Sequence, residues 1–170
     1  TITIPEGFTI GEIAAELEKE NVVESAEKFI RYVNTRGKKD LKSKFPFLEK
    51  VPTDNLEGYL YPETYVFAQL IPNKKILSAF LKQFEENNYT LWKTSKKQLS
   101  LHETTTLASI VEKETFDRSE MGTISGVFHN RLKRNMQLGA CPTVAYALGE
   151  PRKRFLTFDD IKVDSPYNTY

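Results

Sequence analysis

One stretch of sequence decides how this chain can fold and act. It is Leu107-Ala108-Ser109-Ile110-Val111-Glu112-Lys113-Glu114-Thr115. At 3.6 residues per turn, Leu107, Ile110 and Val111 fall on one face of a helix, and Glu114 takes the next position on that face. A carboxyl group among apolar neighbours is disfavoured in its charged form, so the pKa of Glu114 is expected to rise. Glu114 is therefore a candidate general acid.

A structural role for Glu114 is the competing interpretation. An acid on an apolar face can be a buried carboxylate that pairs with an arginine or caps a loop, and structural ion pairs also perturb pKa values. The pattern by itself favours this structural role. Glu112 projects away from the apolar stripe and is expected to be an ordinary solvated residue.

Charge and composition exclude several classes of partner and cofactor. The 170 residues include 24 Lys and Arg against 23 Asp and Glu, a net charge of +1, so no nucleic acid is predicted as a partner. No apolar run approaches the roughly 20 residues of a membrane span, and the chain as given is expected to be soluble. One cysteine, Cys141, cannot form an internal disulfide. His102 and His129 lack partners at zinc-ligand spacing, so neither a metal nor another cofactor is predicted.

The first 35 residues or so predict a small module. Thr1-Ile2-Thr3-Ile4 alternates like a strand, Thr9 to Glu12 reads as a capping box that opens a helix, and Ser25 caps a second helix. A module of this size rarely folds alone, so it must pack on residues elsewhere in the chain. Whether it binds a ligand or only braces its neighbours is open.

The segment 56–67 is the densest aromatic patch of the chain. Its aromatic residues recur two or four apart: Tyr59, Tyr61, Tyr65 and Phe67. In an extended segment they share one face, which suits sugar rings, while the carboxylates of Glu57 and Glu63 can hydrogen-bond the rim. An aromatic core strand is the alternative, although Pro62 argues against a central strand.

Further helices are predicted over residues 73–87 and from about Ser119, and residues 92–98 read as a polar linker. Between them, Ser100 to Glu103 forms a second capping box, which opens the helix that carries Glu114. Beyond Met136 the chain is predicted to be irregular. Helices dominate, strands are few and no strand–helix unit repeats, so the sequence predicts an α+β fold.

Five blocks in fixed order resemble a known family. They are Leu56-Glu57-Gly58-Tyr59-Leu60-Tyr61-Pro62-Glu63-Thr64-Tyr65, the stretch from Leu107 to Thr115, Val127-Phe128-His129-Asn130-Arg131-Leu132, Pro142-Thr143-Val144-Ala145-Tyr146 and Tyr167-Asn168-Thr169-Tyr170. Together they resemble the YceG-like family, the endolytic murein transglycosylases called MltG, over essentially the whole chain. The resemblance implies a LysM-like subdomain over residues 1–39 and a mainly helical catalytic domain with a few strands over residues 40–170.

The same resemblance implies a bacterial enzyme that cuts the glycan strands of nascent peptidoglycan between N-acetylmuramic acid and N-acetylglucosamine, leaving 1,6-anhydro ends. The catalytic acid implied by the family is Glu114, the residue that the helical pattern selects independently. The residues expected to line the substrate cleft are Glu57, Tyr61, Glu63, Asn130, Arg131, Thr143, Asn168 and Tyr170. Arg131 could instead be the ion-pair partner of Glu114 or Glu112.

The resemblance also implies a location and partners. The family acts at the bacterial cytoplasmic membrane, with the catalytic domain on the extracytoplasmic side and an N-terminal anchor that this sequence lacks. Cell-wall synthesis enzymes are the expected protein partners.

Three departures from the family pattern stand out. Cys141 replaces an Asp before Pro-Thr-Val, Glu63 replaces an Asp before Thr-Tyr, and the chain stops at Tyr170 where the family continues. A fragment whose cleft is incomplete is therefore expected.

Two other functions stay open at this point. A muramidase that hydrolyses the same bond needs a second carboxylate about 5–9.5 Å from the acid, for which Glu57, Glu63 or Glu112 are candidates. A non-catalytic peptidoglycan-binding or scaffold module would leave Glu114 with a structural role only.

Overall fold

The structure is a computed structural model that describes residues 1–96 and 99–170. Helices dominate it and two short strands form one small sheet, which confirms the predicted α+β fold. The chain divides into two compact units, Thr1–Thr105 and Thr106–Tyr170. This division differs from the predicted boundary after residue 39, because residues 1–39 share one hydrophobic core with residues as far along the chain as Leu101. The LysM-like nature of residues 1–39 stays a prediction.

The first unit holds most of the secondary structure. Its elements are β1 (Ile2–Thr3), α1 (Ile10–Lys19), α2 (Ala26–Thr35), α3 (Gly37–Leu41), a 3-10 helix (Pro46–Lys50), β2 (Thr64–Tyr65), α4 (Asn73–Phe84), a π-helical turn (Glu85–Tyr89), α5 (Thr90–Thr94) and the beginning of α6 (Leu101–Glu114). The strands β1 and β2 are antiparallel, with Ile2 opposite Tyr65. The N-terminal strand is thereby tied to the aromatic segment more than sixty residues later.

The predicted helix caps are confirmed. Thr9 and Glu12 form a reciprocal capping box at α1, in which the Glu12 amide donates to Thr9 Oγ1 at 3.2 Å and the Thr9 amide donates to Glu12 Oε2 at 2.9 Å. Ser25 caps α2 through its hydroxyl oxygen. At α6 the Ser100 amide donates to Glu103 Oε2 at 2.8 Å, and Ser100 Oγ accepts from the Glu103 amide at 3.2 Å.

The aromatic segment 56–67 contributes to the core and does not form an open sugar-binding face. Tyr59 and Tyr65 are buried, with ring centroids 4.9 Å from Phe84 and 4.5 Å from Phe80. Tyr61 and Phe67 are partly buried and pack against the same core. The burial is favourable because each aromatic side chain removes a large apolar area from water. The prediction of a saccharide face over Tyr59 and Tyr65 is therefore wrong.

Two predicted boundaries differ from the structure. Helix α4 ends at Phe84 and continues as the π-helical turn, where one long helix was predicted. Helix α5 (Thr90–Thr94) includes the first three residues of the linker predicted over 92–98, and the indole nitrogen of Trp92 donates to the Leu99 carbonyl at 3.2 Å. The end of that predicted linker, Lys97 and Gln98, lies outside the described residues.

The second unit contains the rest of α6, then α7 (Arg118–Lys133), α8 (Cys141–Ala147) and a 3-10 helix (Asp160–Lys162). Helix α8 lies where irregular chain was predicted. Of the apolar residues expected to be buried on α7, Phe128 is buried, whereas Val127 and Leu132 are exposed. A unit this small buries a modest share of its surface. Among the helices of residues 1–96 and 99–170, none is long and apolar enough to cross a membrane.

Phe47 is a stringent test of the first unit's core. Its fully buried ring lies 5.4 Å from Phe84 and 5.3 Å from Tyr89, measured between centroids. Phe47→Ala is expected to lower the free energy of unfolding by about 3–5 kcal/mol, because it removes buried area and leaves a cavity. Val66→Ala, at a residue 82 % exposed, should change it by less than about 0.5 kcal/mol. Urea unfolding followed by the fluorescence of Trp92 measures both, and equal losses would contradict the packing.

Candidate active site

Glu114 is the last residue of helix α6. Leu107, Ile110 and Val111 are buried on one face of that helix, as the pattern predicted. Glu114 itself remains exposed, so the expectation of a fully buried acid is wrong. The reason is its position, since the helix ends there and no further turn covers the side chain.

The pKa of Glu114 is raised nevertheless. Loss of water on the protein side of the carboxyl is the larger influence and raises the pKa, while the positive charge of Arg131 lowers it by less. The C-terminal end of a helix also carries partial negative charge, which disfavours a carboxylate at this position. The direction agrees with the prediction, and the protonated form of Glu114 is therefore more accessible than that of an ordinary glutamate.

Arg131 influences Glu114 through its charge and not through a direct ion pair. Its Nη1 donates a hydrogen bond to the carbonyl of Leu138. Within the described ranges of the chain, no ion pair joins Arg131 to Glu114, and the influence of the guanidinium on the pKa is a longer-range attraction. A direct contact would have favoured the ionised carboxylate more strongly.

Gly139 lies beside this arrangement in a left-handed backbone conformation. It has a φ of +56°, and a side chain built at Gly139 would place its Cβ 3.5 Å from Nη1 of Arg131 and 4.0 Å from Cε1 of Tyr170. The guanidinium and the phenol ring therefore both lie against the backbone of Gly139. Left-handed backbone of this kind favours glycine, because a Cβ would approach the following carbonyl.

The C-terminal block is fastened to the start of α8 through Thr169. The carbonyl of Thr169 accepts from the Gly139 amide at 2.8 Å, and its Oγ1 accepts from the Ala140 amide at 2.9 Å. Thr143 Oγ1 lies 2.9 Å from Thr169 Oγ1 and donates to the Ala140 carbonyl at 2.8 Å. Thr143, predicted to contact substrate, thus holds the block in place within this unit.

Asn168 has a similar supporting role. Its side-chain amide donates to the carbonyls of Ile161 and Val163, both at 2.9 Å, and its Oδ1 accepts from the Tyr170 amide at 3.0 Å. These bonds fix the backbone that carries Tyr170. Asn130 differs, since it is exposed on α7 beside Arg131 and its side chain forms no hydrogen bond within residues 1–96 and 99–170.

Tyr170 lies among the charged groups of the site. Its hydroxyl is 3.1 Å from Sγ of Cys141. The contact with the thiol, partial burial and the negative charge of Glu114 raise the pKa of Tyr170 to about 12, against a smaller opposing influence of Arg131. The phenol therefore keeps its proton at any ordinary pH. The structure brings Glu114, Arg131 and Tyr170 into one neighbourhood, and their contact with substrate stays a prediction.

The other three predicted residues belong to the Thr1–Thr105 unit. The carboxylate of Glu57 accepts from the Ile10 amide at 3.0 and 3.3 Å, so it caps helix α1 from 47 residues away. The carbonyl of Tyr61 accepts from the hydroxyl of Tyr65 at 2.6 Å. Glu63 is exposed, and its Oε1 accepts from the Thr64 amide at 2.8 Å. In the structure these contacts serve the fold of the first unit.

Sequence reasoning missed three residues that shape the site. Leu138 and Thr169 act through backbone or hydroxyl atoms, and Gly139 acts by lacking a side chain, none of which has a periodic signal in the sequence. Cys141 was noticed as a departure from the family pattern, and its contact with Tyr170 was not predicted.

The whole chain matches the model of the YceG-like family, over residues 1–170. A Bacillus subtilis (strain 168) protein named endolytic murein transglycosylase is 34 % identical over 177 residues, which cover 99 % of this chain and 49 % of the relative. A protein of the same name from Streptococcus pneumoniae serotype 2 is 33 % identical over 189 residues, covering 100 % of this chain and 34 % of the relative. The chain thus spans about half of one relative and a third of the other.

A solved structure is also similar. The crystal structure of a putative yceG-like protein from Listeria monocytogenes matches with a TM-score of 0.87 and 32 % identity, covering 98 % of this chain and 57 % of the other.

The influence of Arg131 on Glu114 can be measured directly. Arg131→Gln removes the charge that lowers the pKa of Glu114, so the pKa is expected to rise further, and carbon-13 NMR titration of the carboxyl group measures it. Arg134→Gln, which removes a charge at the end of the same helix, is the matched control and should leave the pKa nearly unchanged. An equal shift in both variants, or a lower pKa in Arg131→Gln, would contradict the specific role of Arg131.

Proposed function

The chain belongs to the YceG-like family, and we propose that it cleaves the glycan strands of peptidoglycan internally as a lytic transglycosylase. The observation that carries the proposal is the carboxyl of Glu114, whose pKa is raised by loss of water although a guanidinium lies nearby. The names of the relatives from Bacillus and Streptococcus agree with this chemistry.

One carboxyl group is sufficient for the reaction. Protonated Glu114 donates its proton to the glycosidic oxygen between N-acetylmuramic acid and N-acetylglucosamine, and the C1–O bond breaks. The resulting carboxylate then accepts the proton of the muramic acid 6-hydroxyl as its oxygen bonds to C1. The products are a free hydroxyl on N-acetylglucosamine and a 1,6-anhydro ring, with no water consumed and Glu114 restored to its acid form.

The surroundings of Glu114 suit a group that must act as acid and then as base. Loss of water favours the protonated form, and the charge of Arg131 keeps the carboxylate form within reach. Tyr170, with a pKa of about 12, supplies a neutral hydroxyl that keeps its proton throughout. Asn130 and Arg131 on α7, together with Tyr170, are the described groups of this unit best suited to contact sugar hydroxyls.

The hydrolytic alternative needs a second carboxylate that is available for chemistry. The acids that follow Glu114 most closely along the chain are engaged elsewhere. Asp117 accepts from the amide and hydroxyl of Ser119, and the Thr115 hydroxyl donates to Glu120 at 3.0 Å. Glu57, a candidate from the sequence, caps helix α1. These contacts give Asp117, Glu120 and Glu57 structural roles, so Glu63 and Glu112 are the remaining sequence candidates for the second carboxylate that a muramidase needs.

The remaining parts of the proposal concern substrate contacts, location and partners. Thr143 and Asn168 support the part of the glycan site that carries Tyr170, and glycan contacts by Glu57, Tyr61 and Glu63 remain a prediction from the family resemblance. The protein acts on the extracytoplasmic side of the bacterial cytoplasmic membrane, where its substrate is made, held by an anchor outside these residues. Its partners are peptidoglycan glycan strands and cell-wall synthesis enzymes.

Glu114→Gln tests the proposal. The variant cannot donate a proton, so purified protein given uncrosslinked glycan strands should release no anhydro-ended fragments while still binding the strands. Mass spectrometry identifies the products, because an anhydro end lacks one water relative to a hydrolysed end. Reducing muramic acid ends from the unaltered protein would favour a muramidase, and strand binding without any cleavage by it would favour a binding module. Glu112→Gln should still cleave.

The same variant has an expected effect on stability. A carboxyl whose pKa is higher in the folded state than in the unfolded state stabilises the fold below the unfolded pKa, and that contribution is lost as pH rises through the folded pKa. The ionised form of Glu114 therefore disfavours folding relative to the protonated form, and Gln should leave the melting temperature at neutral pH unchanged or higher. A clear drop would indicate a structural role for Glu114.

Substitutions at two glycines can distinguish the effect of backbone strain from the effect of damage to the site. Gly139 and Gly149 both have positive φ, but a Cβ at Gly149 would meet nothing within 4 Å. Gly139→Ala and Gly149→Ala are each expected to lose about 1–2 kcal/mol of stability. Only Gly139→Ala should also reduce glycan cleavage, because the strain falls on the backbone beside which Arg131 and Tyr170 lie. Equal rates of glycan cleavage by the two variants would contradict the proposal that the residues beside Gly139 take part in the reaction.

A further inference from the structure

The contact between Cys141 and Tyr170 joins two exposed side chains that are 29 residues apart in the chain. Cys141 is the first residue of α8, and Tyr170 ends the block that Thr169 fastens to this helix. Because dense packing does not force exposed side chains together, the 3.1 Å distance between Sγ and the hydroxyl oxygen reflects a specific interaction.

The backbone on both sides of this contact is held by hydrogen bonds. The Gly139 amide donates to the Thr169 carbonyl at 2.8 Å, and the Ala140 amide donates to Thr169 Oγ1 at 2.9 Å. Thr169 is adjacent to Tyr170, and Ala140 and Gly139 lie one and two residues before Cys141. The remaining freedom of Tyr170 is rotation of its own side chain, which the contact with Sγ restricts.

Tyr170 lies where its orientation matters for the reaction. A Cβ at Gly139 would lie 4.0 Å from the Tyr170 ring and 3.5 Å from the Arg131 guanidinium, so the ring and the cation flank the same glycine. A phenol hydroxyl has one proton and two lone pairs. When the thiol occupies one of these three hydrogen-bonding positions, the directions of the other two are fixed.

We propose that Cys141 is a positioning residue that holds the hydroxyl of Tyr170 beside Arg131 and Glu114, and that it acts on glycan cleavage through that hydroxyl. The inference rests on the proposed function and assigns a role to a residue at which this chain departs from its family's sequence pattern. A thiol is a weak hydrogen-bonding group without a formal charge, so it orients the phenol without adding a negative charge near the acid. An Asp at this position would add one and would raise the pKa of Glu114 further.

A double-mutant cycle tests the pair. Cys141→Ala is expected to lower kcat on uncrosslinked glycan strands about fivefold, the equivalent of one neutral hydrogen bond, with KM unchanged. Cys141→Ser, which retains a hydroxyl at this position, should recover part of the loss. In the background of Tyr170→Phe, Cys141→Ala should have no further effect, because the hydroxyl that it orients is gone. The proposal is wrong if Cys141→Ala and Tyr170→Phe lower kcat by independent factors that multiply in the double variant. It is also wrong if Cys141→Ala changes only KM or only the melting temperature.

A second measurement needs no activity. In protein with carbon-13 at the tyrosine ζ position, Cys141→Ala should shift the Tyr170 resonance at neutral pH and leave that of Tyr59 unchanged. An unmoved Tyr170 resonance would overturn the pair. Glu114→Gln in the same cleavage assay separates the two proposals. If Glu114→Gln is inactive and the effects of Cys141→Ala and Tyr170→Phe are independent, only the proposal for Cys141 and Tyr170 is wrong. If Glu114→Gln cleaves fully, the assignment of Glu114 as the acid is wrong.

Discussion

Partial removal of the Glu114 carboxyl from water, with no ion-pair partner among residues 1–96 and 99–170, is the constraint on which the proposed chemistry depends. The protein side of Glu114 is desolvated enough to raise its pKa, and the charge of Arg131 acts in the opposite direction and is the weaker influence. That balance requires the guanidinium to stay near but not bonded. The Leu138 carbonyl provides this separation, because it accepts the hydrogen bond from Nη1 that a carboxylate would otherwise compete for.

The position of Arg131 in turn depends on the loop before α8. The guanidinium and the ring of Tyr170 lie beside Gly139, whose left-handed backbone shapes the loop, and Thr169 closes the loop against the C-terminal block by accepting two hydrogen bonds from backbone amides. Thr143 and Asn168 support that closure. Residues that a family pattern marks together can therefore have different tasks, since two hold the block and Tyr170 presents a functional group from it.

Local features of the sequence predicted local structure well. The capping box of Thr9 and that of Ser100 were predicted correctly, because their atoms interact within one turn of chain. Helix α8 was missed, since it is short and its N-cap residue, Ala140, makes no side-chain capping bond. The aromatic segment showed the limit of periodicity. A spacing of two places side chains on a common face, but it cannot tell whether that face meets solvent or, as for Tyr65, the core.

The direction of the pKa shift of Glu114 was predictable but its exposure was not, and helix α6 shows why. Its two ends each carry a glutamate, and the pKa of Glu103 is lowered while that of Glu114 is raised. At the N-terminus, Glu103 accepts hydrogen bonds from Ser100 and completes a capping box, which stabilises its charge. At the C-terminus no amide is available to Glu114, and the helix end presents carbonyl oxygens. The two pKa values shift in opposite directions because the glutamates lie at opposite ends of one helix. At the C-terminal end, loss of water on one side of the carboxyl is sufficient to raise its pKa, and full burial is unnecessary. Exposure is also what the reaction requires, because a proton donor must reach a glycosidic oxygen that arrives from solvent.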